Sequence, residues 1–289
     1  MSLSFLSECK EKVLKRIDTL LPDTNKVVSS MRYSALANSK CIRAGLIFAS
    51  GNLNKDLSDS ALIDMATSVE LMHTYSLIHD DLPSMDNDDM RRGQASNHVK
   101  FNEATAILTG DALQALAYGN IVSSLEIPEV QKIASIKALT SACGHKGMIL
   151  GQQFDLDAEK DKYNNIQKIH ELKTGKLIQV AMTMPHLGVK KQENTMLVLD
   201  EVGERLGLAF QIMDDVLEAT SDTGTLGKSN KSDLVNQKLT YVSAYGKQTS
   251  IEKAHVLLNT CISKLQNSFS ESEARNLLDL AEFMVKRKK

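Results

Sequence analysis

The sequence predicts an all-α fold, one large bundle of ten or more helices occupying 1–289 as a single domain. Three observations predict it. Prolines are scarce, only Pro22, Pro83, Pro128 and Pro185, so long helices meet little interruption. Hydrophobic positions recur at intervals of three and four, as in Leu62, Ala66, Val69 and on to His73, or Val202, Leu206, Phe210, Met213 and Leu217. Alternating β-branched runs bounded by turn residues, the mark of strands, are hard to find.

Taken in order, the first stretch, "MSLSFLSECKEKVLKRIDTLL", carries charge every few residues and reads as an amphipathic helix, not a signal peptide. In "NSKCIRAG", Lys40 and Arg43 lie three apart and are expected to share a helix face. A helix over "ATSVELMHTYSLIH" feeds Asp80, placing it one turn above Ser76 and two above His73. Pro83 should break that helix, so Asp86 need not follow a helical angle. Residues 83–100 and 221–236 are the least helical stretches, and each follows an acidic cluster. On the helix entering the second cluster, "FQIMDDVLE", Gly207, Gln211, Asp214 and Glu218 form one polar stripe. The closing "VKRKK" reads as a solvated helix end. No composition shift marks a domain boundary, and no repeat period suggests a solenoid.

Composition narrows the function. At 289 residues and 42% hydrophobic content there is material for a substantial core. A net charge of −2, no Trp and 4% aromatics argue against a nucleic-acid binder. Cys9, Cys41, Cys143 and Cys261 are scattered without a CxxC pair, which suits a reducing compartment and argues against a thiolate metal site. No stretch approaches the roughly 18 uninterrupted apolar residues of a membrane span. A cytoplasmic chain is expected.

Chemistry concentrates in "LIHDDLPSMDNDDMRRGQ" and in "FQIMDDVLE". Solvent exposure alone could account for either cluster. Yet carboxylates this close repel and raise one another's pKa unless a cation intervenes, and both emerge from strongly apolar helices. Oxygen donors without Cys suit a hard ion, Mg²⁺ above all, completing its shell with water and phosphate. An EF-hand is excluded, since position 12 from Asp86 is Asn97 and the required Gly is missing. Cations that could meet a phosphate are Lys40, Arg43, Arg91, Arg92, Lys173, Lys228 and Lys238, each also explicable as a surface charge. His73 lies on the Asp80 face, and the pattern leaves open whether it is a core residue or a ligand. His79 reads as structural.

These segments together resemble the trans-isoprenyl diphosphate synthases, of the bacterial short-chain farnesyl type. "HTYSLIHDDLPSMDNDDMRRG" is similar to that family's first aspartate-rich motif with its two-residue insertion. "FNEATAILTGDALQALA", "GMILGQQFDLDAE", "IHELKTGKLI", "FQIMDDVLEATSDTGTLGK" and "SDLVNQKLTY" follow in the family's order. The resemblance implies a bundle around a deep central cavity, a homodimer, and a prenyltransferase that uses Mg²⁺. It would join isopentenyl diphosphate to dimethylallyl or geranyl diphosphate, giving farnesyl diphosphate.

By the same resemblance, Asp80 and Asp86, supported by Asp81, carry metal on the allylic diphosphate, and Asp214 leads a second set with Asp215 and Glu218. Arg91, Lys173, Lys228 and Lys238 would contact that diphosphate; Lys40, Arg43, His73 and Arg92 would hold isopentenyl diphosphate. Thr174 and Gln211 would line the path of the allylic cation. Tyr75, with Ser76 beside it, would limit chain length. The chain departs from the family at Cys41, where an Arg is usual, at Ala44, where a Pro is usual, and at Glu218, where an Asp is usual. Alternatives are a geranyl or geranylgeranyl diphosphate synthase, a terpene cyclase, a non-catalytic subunit of a heteromer, and a helical scaffold with charged rims.

Overall fold

A 22-residue helix buried on nearly every side runs through the middle of the molecule, and the other elements are arranged around it. The computed structural model describes residues 3–158, 160, 164–220 and 239–287. Helices α1 (Leu3–Leu20), α2 (Lys26–Ala35) and α3 (Ile42–Gly51) lead into this central α4 (Asp59–Asp80). A minimal hairpin follows, β1 (Met90–Arg91) and β2 (Gln94–Ala95), then α5 (Asn97–Lys100), α6 (Glu103–Ser123), α7 (Glu129–Cys143) and α8 (Met148–Ala158). Helix α9 (Ile166–His170) runs through a π turn at Glu171–Gly175 into α10 (Lys176–Thr183). The 27-residue α11 (Glu193–Ala219) comes next, with α12 (Tyr241–Tyr245), α13 (Lys247–Ser268) and α14 (Glu271–Lys286) completing the bundle.

Local sequence explains the boundaries. Asn25 caps α2 by accepting from the Val27 and Val28 amides at 3.0 and 3.1 Å, and Asn102 caps α6 through the Thr105 amide at 2.8 Å. Ser270 and Glu273 form a capping box at the start of α14. Helix α4 packs most extensively on α6, and α11 on α13 and α10. Because α4 is enclosed, it carries apolar residues all round, with Met65, Val69 and Met72 fully buried. Neighbours meet the buried polar groups at Asp64 and Ser68: Arg16 of α1 donates to Asp64 at 2.8 Å, and Asn120 of α6 donates to the Asp64 carbonyl at 2.8 Å and to Ser68 at 2.9 Å.

Among the described residues the sheet amounts to this one hairpin of two residues per strand, in keeping with an all-α fold. Arg92 (φ 55°) and Gly93 (φ 80°) form its two-residue turn, and two consecutive positive φ values are what a type I′ turn demands. All four cysteines are buried and free. Among the described residues, no helix is long and apolar enough to cross a membrane.

Candidate active site

A cavity of about 590 Å³ lies between the ends of α4 and α11, a size typical of small-molecule sites. His73, Ser76, Leu77 and Asp80 face it from α4, at the helical spacing expected of one face. Helix α4 stops at Asp80, and the chain then folds back on itself. The Met85 and Asn87 amides donate to the Leu82 carbonyl at 2.8 and 3.1 Å, and the Asp86 amide donates to the Asp80 carbonyl at 2.9 Å. That last bond brings Asp86 into the same wall, with Asp88 beside it. The helix break attributed to Pro83 is what permits it.

The hairpin turns Arg91 and Arg92 into the cavity. Arg91 grips Asp81 through Nε (2.9 Å) and Nη2, and donates to Asp88 at 3.2 Å. Asp81, expected to support Asp80 and Asp86, is 2% exposed, stands outside the main cavity wall and holds Arg91 in place. Lys40 and Arg43 both reach the cavity but do not share a helix face, because α3 begins only at Ile42, after Cys41 in a left-handed conformation.

Arg43 and Arg92 form a cationic corner beside His73, anchored by Glu70, which is 4% exposed and accepts the Ala44 amide at 3.0 Å. The Glu70 carboxylate favours the charge on both arginines. Even so, burial lowers both pKa values, helped by the Arg92 charge beside Arg43 and by the Arg91 charge beside Arg92. Arg43 Nε is buried without a hydrogen-bond partner among the described residues. A buried, unmet guanidinium donor is costly unless an anion meets it. Burial, helped by Arg43, Arg92 and Arg91, pushes the His73 imidazole well below its usual range, so it is neutral at pH 7.

The opposite wall is built on close backbone contact. A Cβ at Gly151 of α8 would lie 2.3 Å from the Lys173 nitrogen, and one at Gly207 of α11 would lie 2.8 Å from Gly175 Cα. Glycine at both places lets the π turn sit between these helices, and its residues Lys173 and Thr174 face the cavity. Lys173 Nζ bonds Asp155 at 2.7 Å. Thr174 donates to Gln211 at 2.8 Å, and Gln211 donates to Asp215 at 3.3 Å.

The second acidic pair divides. Asp215 is tied into the wall: it accepts the Tyr241 amide at 2.7 Å and lies 3.3 Å from His170 Nε2. Burial pushes its carboxyl up to about 7 and the His170 imidazole down to about 4. Asp214 and Glu218 face the cavity in the predicted stripe. Asp214 keeps 38% of its side chain exposed and pairs with Arg287; surrounding protein raises its carboxyl.

Lys228 and Lys238 lie outside the described residues. Tyr75 does not line the cavity; it is 5% exposed and packs edge-on to His79 at 5.7 Å, while Ser76 is the residue that faces the void. His79 accordingly is a packing residue, with Nε2 3.1 Å from the Ile107 carbonyl.

Sequence reasoning missed Asp88, Asp155, His170 and Arg287 as wall residues. Asp155 and His170 stand inside "GMILGQQFDLDAE" and "IHELKTGKLI", and could have been found there. Arg287 belongs to the tail read as solvated, yet only 5% of its side chain is exposed.

Asp80 and Asp86 on one side, with Asp214 and Glu218 on the other, offer hard oxygen donors. Among the described residues no three His, Cys, Asp or Glu side chains converge on a point. Such a donor set suits Mg²⁺, which takes one or two carboxylates and fills its shell with water and phosphate, better than a closed zinc cage.

Comparison with known proteins follows the same lines. The chain is 41% identical over 286 residues to a farnesyl diphosphate synthase of Escherichia coli, covering 96% of this chain and 95% of that one. It is 36% identical over 291 residues to a geranylgeranyl diphosphate synthase of Cyanophora paradoxa, covering 99% and 96%. Its fold matches the crystal structure of a Helicobacter pylori geranyltransferase complexed with magnesium and isoprenyl diphosphate, with a TM-score of 0.84, 29% identity and 99% of each chain covered. The polyprenyl synthetase family model matches residues 24–280, a span that takes in both acidic helix ends and the cations between them. This chain belongs to the polyprenyl synthetase family.

Proposed function

We propose that this chain is a short-chain prenyltransferase. It joins isopentenyl diphosphate head to tail to dimethylallyl or geranyl diphosphate and releases farnesyl diphosphate, the product named for its Escherichia coli relative. One observation carries the reading: two acidic helix ends and a buried Arg43–Arg92–His73 corner share a single cavity whose wall also includes apolar Met148, Ile169 and Phe210. That is room for two diphosphates and a hydrocarbon chain together.

Asp80, Asp86, Asp214 and Glu218 are the residues that would hold Mg²⁺, and the magnesium in the Helicobacter pylori structure supports magnesium as the ion. When bound, Mg²⁺ supplies charge neutralisation on the departing diphosphate. Lys173, steadied by Asp155, and Arg91, steadied by Asp81, donate to the allylic diphosphate as negative charge builds on it. Lys228 and Lys238 are assigned to the same diphosphate. Lys40, Arg43, Arg92 and neutral His73 hold isopentenyl diphosphate.

The allylic C1–O bond breaks, and the oxygens of Thr174 and Gln211 face the resulting positive charge. The isopentenyl double bond attacks C1, and the departed diphosphate takes the proton that this carbon skeleton loses. No side chain need act as general base.

A geranylgeranyl product is the second reading. It is supported by the Cyanophora relative and by Tyr75, the expected stop, standing outside the cavity wall. Incubating the purified chain with Mg²⁺, isopentenyl diphosphate and each allylic diphosphate, then measuring product lengths, tests both. Condensation with none of them would refute the function and favour a non-catalytic subunit.

The chain is further read as one all-α domain, cytoplasmic and homodimeric. On α6, exposed Leu108, Ala115 and Val122 recur every seven residues, and Ile133 of α7 is 70% exposed, an apolar strip suited to a second copy. Light scattering that finds a monomer at micromolar concentration would remove the dimer.

A further inference from the structure

Arg287 follows the last turn of α14, where ψ of 136° takes the backbone out of the helix. Its side chain does not continue into solvent. The guanidinium lies over the Phe210 ring, 4.2 Å from the centroid. One nitrogen donates to the Met284 carbonyl, and another donates to Asp214 Oδ1. With 5% of the side chain exposed against 38% for Asp214, Arg287 is the more enclosed member of the pair. It lines the cavity near Lys40, and after burial the Arg287 charge is the largest influence lowering the Lys40 pKa.

Three contacts of different kinds therefore fix one cation on one carboxylate of the second acidic cluster. A guanidinium seated on Phe210 and on the Met284 carbonyl has little side-chain entropy left to lose, which makes its grip on Asp214 stronger than that of a mobile surface arginine. A guanidinium held at contact on Oδ1 occupies one of the carboxylate's acceptor sites and repels a divalent ion approaching the same group.

We propose that Arg287 is the internal counter-ion of the second acidic cluster and competes with the divalent ion for Asp214. Metal uptake there works against the positive charge seated on Oδ1, and the strength of this pair sets how much metal the cluster needs. The proposal rests on the reading that Asp214 is a metal ligand.

The test uses the full chain, Mn²⁺ as the probe, and a non-reactive bisphosphonate in place of both substrates, so that no turnover is involved. Bound and free Mn²⁺ are separated by electron paramagnetic resonance. Arg287→Met keeps an unbranched stem on Phe210 and removes the charge; Arg287→Lys keeps a charge without the planar fork. Arg287→Met should tighten the weakest class of Mn²⁺ sites about tenfold, equivalent to about 1.4 kcal/mol, with Arg287→Lys in between. Asp214→Asn should abolish that class and make Arg287→Met without effect.

Thermal melts establish that each variant is folded. Loss of Mn²⁺ in Asp214→Asn combined with unchanged or weaker binding in Arg287→Met overturns the competition and leaves the metal assignment standing. Undiminished Mn²⁺ in Asp214→Asn, or no Mn²⁺ bound by the unmodified chain, overturns the metal assignment and the competition with it.

Discussion

Replacing Gly151 with Ala probes how the cavity wall positions its lysine. The added methyl would start 2.3 Å from the Lys173 nitrogen and 2.7 Å from its Cα. Both contacts are backbone, so no side chain can swing aside. Ordinary contact begins at 3.4 Å, so the π turn must retreat from α8 by about 1.1 Å. Overpacking of this size costs roughly 1–3 kcal/mol of stability, which leaves a folded protein with a lower melting temperature. The displacement carries Lys173 off Asp155, now 2.7 Å away, and moves Thr174 from Gln211. Misplacing a reacting group by about 1 Å costs on the order of a hundredfold in rate, or about 2.7 kcal/mol of barrier. The assay is steady-state condensation of isopentenyl and geranyl diphosphates at saturating Mg²⁺, well below the measured melting point. A folded Gly151→Ala enzyme with kcat within threefold of the parent would refute the claim that this backbone contact positions Lys173.

Three further outcomes are expected. Ser76→Phe, which fills the void directly, should shorten the products, and Tyr75→Ala, which opens space behind that wall, should lengthen them by one isoprene unit, about a helical turn of roughly 5.4 Å; identical chromatograms for both would remove this region as the length stop. Folded Asp215 titrates at about 7 against about 3.9 in an unfolded chain, so folding takes up a proton between those values and stability falls as pH rises from 4 to 7. Asp215→Asn lacks this term, and in EDTA its stability relative to the parent should rise across that window by up to about 4 kcal/mol; a difference that stays constant with pH contradicts the shift. Gly93→Ala, at φ 80° in the hairpin turn, should cost roughly 1–2 kcal/mol and raise KM for isopentenyl diphosphate several-fold by displacing Arg92, and an unchanged KM would show that the turn does not set that arginine.

What the sequence displayed was periodicity. The α4 face of His73, Ser76 and Asp80 and the α11 stripe of Gln211, Asp214 and Glu218 both stand where 3.6-residue spacing puts them, because nothing interrupts either helix. Where backbone departs from that spacing, the reading weakened. Lys40 precedes the helix it was assigned to, since α3 starts two residues later. Asp81 belongs to Arg91 because the segment after α4 folds back and brings residue 91 onto residue 81, a bend with no local periodicity. Arg287 meets Asp214 across 73 positions of chain, and a basic run carries no mark of which carboxylate it will reach. The glycine-seated π turn was invisible for a related reason: the need for Gly151 arises from Lys173, not from its own neighbours.

The enclosure of α4 has an evolutionary side. Most of its length is in contact with other side chains on every side, so a change of size there disturbs packing before it alters chemistry. Only positions that border empty space, such as Ser76 and Leu77, can grow or shrink cheaply. Selection for a different product therefore has few places to act, and lineages that diverge in what they make should do so by repeated substitution at the same handful of void-facing sites while the rest of that helix stays nearly constant.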